Sequence, residues 1–231
     1  MPTALPRPRR TPRATRVALL ALCCALVACT GDAGSGGGRT ATLEKPDPAS
    51  LAATAPDSFT VTLQTSKGEI DLLVRRALAP RGADRLHWLA THGFFDGGRF
   101  FRVVPGFVVQ FGLTGVPSVD KAWEDRSIPD DSVRTSNRRG TIVFATAGPD
   151  TRTTQLFINL ADNLQLDAAG FAPVGEVRRG MDIVDQLHSA YGDGPPMGTG
   201  PDQLRIMREG NAYLLRRFPQ LDSIIATRVA P

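Results

Sequence analysis

Residues 99–112 place the tightest constraint on what this chain can fold into. Phe100-Phe101-Arg102-Val103-Val104 and Phe107-Val108-Val109-Gln110-Phe111-Gly112 are two β-branched, aromatic-rich segments that flank a single Pro105-Gly106 pair. Proline presets the first turn position and glycine accepts the positive φ of the second, so strands over 99–104 and 107–112 with a tight reversal between them are predicted. One arginine, Arg102, and one glutamine, Gln110, interrupt the otherwise apolar strands. A charge buried in a strand is costly unless it is paired or put to use. An arginine on the solvent face of a half-buried strand is the plain alternative.

Around this hairpin the pattern is mainly β. Residues 59–64 and 69–74 alternate with period two about Thr65-Ser66-Lys67-Gly68, which predicts a second hairpin. Further strands are expected at 141–145, 155–159 and 173–177, with a last one over 221–229 pairing with 59–64. A helix over 79–92 carries Leu86, Leu89 and Ala90 on its apolar face and stops at Gly93. A second helix covers 181–188. Beyond a Gly/Pro loop at 192–201, Pro201 opens a third helix over 202–218, with Leu204, Met207, Asn211, Leu214 and Phe218 along one face. Residues 113–139 read as a long irregular passage. Its acidic pairs, Glu124-Asp125 and Asp130-Asp131, lack the alternating oxygen spacing of a calcium loop and are read as solvated. His87 and His92 have no companion ligand at metal spacing, so no metal site is expected.

The N-terminus reads as an export signal rather than as part of the fold. Five arginines precede an apolar run over 17–28 that is too short to span a bilayer but suits a secretory signal. The run ends Leu26-Val27-Ala28-Cys29, which resembles a bacterial lipobox with Cys29 as the lipidated residue; a plain cleavable signal is the alternative. Removing residues 1–28 takes away five arginines, so the formal net charge of +4 becomes −1. Nucleic-acid binding thereby loses its global support. All three cysteines lie at or before Cys29, so no disulfide is available to the mature domain. Residues 29–57, rich in Gly, Ala, Thr and Pro, are expected to be a flexible tether reaching about 30 Å. The folded domain is then 58–231.

Three stretches carry a resemblance to a known family. F-x-R-x-x-P-G-F-x-x-Q over 100–110 closely resembles the active-site signature of the cyclophilins, the β-barrel peptidyl-prolyl isomerases. Residues 144–149 running on to 154–159, and then Asp162-Asn163 through Gly170-Phe171-Ala172-Pro173 to Val177, resemble that family's next pocket wall and loop, in family order and spacing. The resemblance covers roughly 59–190. It implies an eight-stranded antiparallel barrel capped by two helices, with the 191–220 loop and helix as an addition. It implies Arg102 as the donor to the prolyl nitrogen and Gln110 as its orienting partner. Phe107, Val108, Phe157 and Leu166 would form the proline socket, with Phe171 at its edge. Backbone groups of Ala145, Thr146 and Ala147, with the Gln155 amide, would hold the preceding peptide. Several positions depart from the family pattern. Val108 stands where many members have methionine, and Phe101 replaces a frequent histidine. Phe111-Gly112-Leu113 replaces a common Gly-Gly-Asp, and Gln165 replaces the tryptophan of drug-sensitive members, which implies weak cyclosporin binding.

The implied partners are proline-containing unfolded or extended polypeptides, with the membrane reached through a lipid anchor. No cofactor is implied, and a monomer is expected. Thr30 after the cysteine is not the aspartate that retains lipoproteins at the inner membrane, which points to the outer membrane, facing the periplasm. A peptide-binding adaptor that does not depend on turnover is the alternative, prompted by the altered 111–113 segment and the added helix. A serine-hydrolase reading fails, because no G-x-S-x-G elbow is present.

Overall fold

The computed structural model of the chain describes residues 35–231, together with Met1 and Thr3. The export signal and Cys29 lie outside those residues. The elements in chain order are α1 (Ser35–Glu44), α2 (Pro48–Leu51), β1 (Ser58–Thr65), β2 (Gly68–Arg75), α3 (Pro80–Thr91), β3 (Arg102–Val104), β4 (Val108–Phe111) and α4 (Pro117–Trp123). They continue with β5 (Thr141–Phe144), β6 (Leu156–Asn159), α5 (Gln165–Ala168), β7 (Pro173–Arg179), α6 (Met181–Asp185), α7 (Gln203–Arg217) and β8 (Ile224–Ala230).

The eight strands form one antiparallel sheet in the order β3-β4-β6-β5-β7-β2-β1-β8. The sheet curls into a half-barrel, and its ends approach each other: Arg99 bridges Ser223, and Gly97 N–H donates to Ile224 O at 2.8 Å. Alternation does the sorting. Phe59, Val61 and Leu63 on β1 and Ile70, Leu72 and Val74 on β2 all point inward and are buried. Leu86 and Leu89 of α3 join the same core, as do Phe94, Phe95, Phe100 and Phe111. Three of these rings meet edge-to-face: Phe111 lies 5.6 Å from Phe95 and 5.5 Å from Phe100.

Four expectations need correction. Residues 35–57 are not a free tether along their length: α1 and α2 lie against the domain. Leu43 and Ala55 are buried, Trp123 Nε1 donates to Leu43 O at 2.7 Å, and Trp88 Nε1 donates to Ser50 Oγ at 3.0 Å. Composition hid this, because two leucines, Leu43 and Leu51, and two hydrogen bonds from tryptophans are enough to dock a segment otherwise poor in large apolar residues.

The 113–139 passage contains α4, which buries Val119 and Trp123. Its acidic pair is not wholly solvated either. Asp131 is buried, receives Arg81 N–H at 3.1 Å and Gly82 N–H at 2.9 Å at the start of α3, and pairs with Arg152 at 3.1 Å.

The α7 face is also shifted. The helix begins after Pro201 rather than at it, with Asp202 as the cap, its Oδ1 accepting from Leu204 N at 2.9 Å. Leu204 is exposed, while Ile206, Tyr213 and Leu214 are buried. Gly210 breaks the helical register at φ 62° and ψ −153°, and only glycine fits there, since a Cβ would lie 2.3 Å from Gly115 O.

Candidate active site

The site is built on the outer face of β3, β4 and β6. Arg102 stands opposite Gln110, Gln110 opposite Phe157, and Phe157 opposite Val143 of β5, so four side chains form one row across four strands. The pleat sends Val109, Phe111, Leu156 and Ile158 into the core and leaves Val108, Gln110 and Phe157 on the opposite face. The reversal closes as predicted, with Phe107 N–H donating to Val104 O at 3.0 Å and Gly106 at φ 72°.

Above this row lies a cavity of about 460 Å³. All eleven side chains singled out in the sequence border it: Arg102 and Gln110; Phe107, Val108, Phe157, Leu166 and Phe171; and Ala145, Thr146, Ala147 and Gln155. Its floor is apolar, since Val108, Val143 and Phe157 form a buried cluster packed by Phe107, Ala145, Leu166 and Phe171. Phe157 and Phe171 meet edge-to-face at 5.7 Å, and the Arg102 guanidinium carbon stands 5.6 Å from the Phe107 ring centre.

A polar chain runs along one wall. Arg102 Nη1 donates to Gln110 Oε1 at 3.2 Å, and Gln110 Nε2 donates to Gln155 Oε1 at 2.8 Å. Gln110 is buried, so both ends of its amide are engaged and its orientation is set. The main-chain donors of the facing segment are partly committed. Ala145 N–H reaches Gln155 O at 2.9 Å, and Ala147 N–H reaches Thr151 Oγ1 at 2.9 Å. Those two N–H groups are engaged within the chain, and Ala145, Thr146 and Ala147 all border the cavity.

Sequence reasoning missed three sets of residues here. Asn137, Asn159 and Asn163 form a buried amide network beneath the floor. Asn163 Nδ2 donates to Phe107 O at 2.9 Å and to Asn159 Oδ1 at 2.7 Å, while Asn137 Nδ2 donates to Phe171 O at 2.8 Å. The network fixes the backbone of two socket rings. Thr151, Thr153 and Gln203 also border the cavity, the last from the added helix. Third, Asp193 forms a two-point ion pair with Arg102, at 2.7 Å to Nε and 2.9 Å to Nη2. The guanidinium holds the Asp193 carboxyl below the usual carboxylate range, against a smaller opposing effect of burial. Only the Gly/Pro richness of 192–201 signalled an ordered feature, and nothing in it pointed to Arg102.

The family departures have a structural reason. Phe101 and Leu113 belong to a buried cluster with Ile206, Tyr213, Leu214, Phe218 and Leu221. These two positions are apolar because α7 and the segment after it cover them.

Among the described residues no group of three or more His, Cys, Asp or Glu side chains is placed to hold a metal ion, and no helix is long and apolar enough to cross a membrane.

The site can be set beside known proteins. A sequence profile of the family described as cyclophilin type peptidyl-prolyl cis-trans isomerase/CLD matches residues 60–208. A peptidyl-prolyl cis-trans isomerase of Acinetobacter baylyi is 36% identical over 132 residues, covering 55% of this chain and 70% of the relative. Peptidyl-prolyl cis-trans isomerase A of Dickeya dadantii is 37% identical over 140 residues, covering 58% and 73%. The crystal structure of a cyclophilin-type isomerase from Cryptosporidium parvum superposes with a TM-score of 0.57 at 18% identity, covering 75% of this chain and 98% of that one. The same protein crystallised in the presence of the dipeptide Ala-Pro gives the same TM-score at 19% identity, covering 74% and 99%.

Proposed function

The chain belongs to the cyclophilin-type peptidyl-prolyl cis-trans isomerase family, and from that premise we propose that it isomerises X-Pro bonds of exported proteins through Arg102. The reaction breaks no bond. Its barrier is the loss of amide resonance, about 18–20 kcal/mol. Catalysis therefore means binding the twisted amide better than either planar form. As the C–N bond rotates, the nitrogen lone pair leaves the π-system and becomes a hydrogen-bond acceptor. A permanently charged donor over an apolar cup meets that need.

One observation carries the reading: the Arg102 guanidinium stands at the rim of the same cavity whose floor is Val108, Phe157 and Phe107. The cup takes the pyrrolidine ring, and Gln110 with Gln155 orients the cation and meets the substrate carbonyl. An acceleration of about 10⁵-fold corresponds to roughly 7 kcal/mol. A charge-assisted contact in a preorganised, partly dry site supplies much of that.

The purified protein is expected to accelerate refolding of a substrate limited by proline isomerisation, and to bind cyclosporin weakly because Gln165 stands where drug-sensitive members carry tryptophan. Refolding at the uncatalysed rate sinks the enzymatic reading, and sub-micromolar inhibition sinks the drug prediction. The adaptor alternative drew on the added helix. The burial of that helix against Phe101 and Leu113 supports an internal role for it instead.

Cell-envelope placement rests on the sequence around Cys29, and the acceptor is the outer membrane, facing the periplasm. Cys29→Ser is expected to move the protein from the membrane to the soluble fraction of the cell envelope. Unchanged fractionation of that variant contradicts the lipid anchor.

A further inference from the structure

The loop at 192–201 and the helix behind it play no part in the mechanism just stated, yet the loop touches its central side chain and the helix packs on the residue before it. Asp193 accepts from Nε and Nη2 of Arg102, and Gln110 accepts from Nη1. A guanidinium carries five N–H groups. Three are thus held within the chain and two remain for a substrate. The two partners grip different edges of the planar group, so both its position and its orientation are specified.

The main chain that carries this carboxylate is itself anchored. Gly200 N–H donates to Asp193 O at 2.8 Å, and a Cβ on Gly198 would lie 2.2 Å from that same oxygen. The loop can close over the Asp193 main chain only because glycine stands there. Its far end is the Asp202 cap of α7, and α7 packs on Phe101, the residue before Arg102. The added segment therefore grips the strand of the catalytic arginine from two directions, through packing at Phe101 and through charge at Arg102.

We propose that Asp193 is a positioning residue of the isomerase site, supplied by the added loop, which sets the Arg102 guanidinium in its working orientation before substrate arrives. The inference rests on the reading of Arg102 as the donor to the prolyl nitrogen. An arginine on a strand otherwise samples many rotamers, and fixing one of them in advance removes that ordering from the transition state. A carboxylate on the rear edge also weakens the field of the cation. The proposal is that orientation outweighs this loss.

The test uses the full-length protein and an Xaa-Pro peptide. Asp193→Asn, which keeps the shape and removes the charge, is expected to lower kcat about tenfold with KM changed by no more than about twofold. In protein labelled with ¹⁵N-arginine, the Arg102 Nε–H resonance is expected to be sharp in the wild type and broadened by exchange in the variant. Placed in an Arg102→Ala background, Asp193→Asn is expected to cause no further loss. Turnover at or above the wild-type level overturns the proposal and makes Asp193 a competitor for the cation. A loss of equal size in both backgrounds also overturns it, since it marks a role that does not pass through Arg102. If Arg102→Ala is itself fully active, the reading of the donor fails first, and the two failures are thereby told apart.

Discussion

Arg102→Ala is expected to lower kcat/KM for an Xaa-Pro peptide by about 10²- to 10³-fold, the cost typical of removing one preorganised charged donor from a transition state. Thermal and denaturant stability should change little. The Arg102–Asp193 pair is partly solvent-exposed on both sides, at 22% and 26%, and pairs of that kind contribute little to folding. Gln110 keeps its bond to Gln155, so the wall of the cavity stays in place. Peptide binding rests mainly on the cup of Val108, Phe157 and Phe171, which the substitution does not touch. The expected signature is a fall in turnover with a native melting curve, read by a coupled peptide assay beside circular dichroism. A variant within about twofold of wild type contradicts the assignment.

The second large effect lies away from the chemistry. Asp131→Ala is expected to destabilise the fold by about 3–5 kcal/mol, the usual cost of stripping one member from a buried ion pair. The side chains of Asp131 and Arg152 are only 4% and 5% exposed. Asp131 also takes the Arg81 and Gly82 N–H groups at the first turn of α3, so its loss leaves two main-chain donors without their acceptor and leaves Arg152 to Asp130, at 3.1 Å, and Pro129 O. Nearby Arg85 gives no relief. It is buried over Trp123, donates to Arg126 O and Thr153 O, and its pKa is already lowered to about 10, chiefly by burial and then by Arg126 and Arg152. The urea midpoint of Asp131→Ala should fall well below that of wild type. Coincident midpoints contradict the buried-pair account. Because Arg152 follows Thr151 on the loop that faces the cavity, partial loss of activity is expected to accompany the loss of stability.

These two side chains mark where the sequence was readable and where it was not. Arg102 and Gln110 were legible as lone polar residues in apolar strands, and the family resemblance joined Phe157 to them; pairing register then sets the three in one row. Asp131 looked like half of a solvated acidic pair because its partner is 21 residues away in the chain. Local pattern has no access to that pairing. The same limit hid α4, whose seven residues are held by burial of Val119 and Trp123 rather than by helical periodicity. It also hid the docking of 35–57, which depends on Leu43 meeting a tryptophan 80 positions later.

The face of α7 was misjudged for a different reason. A uniform helical wheel puts Leu204 inside, but Gly210 interrupts the helix where it meets Gly115, and Ile206 and Tyr213 take the buried positions. Asn211, placed on the apolar face by spacing, instead makes polar contacts, with its amide N–H reaching Gly115 O and its side chain reaching Gly97 O. The departures at Phe101 and Leu113 were visible as anomalies beside the signature. Their meaning came only with the helix that covers them.

The central claim is that a fixed cation binds the rotated amide more tightly than the planar one. Exchange NMR of a saturating Ala-Pro-containing peptide tests it most directly, because affinity and on-enzyme interconversion are read from the same sample. With Arg102→Ala the account predicts peptide affinity within about threefold of wild type and an on-enzyme exchange rate lower by about two orders of magnitude or more. An unchanged exchange rate, or a loss of activity traced wholly to weaker binding, would contradict it.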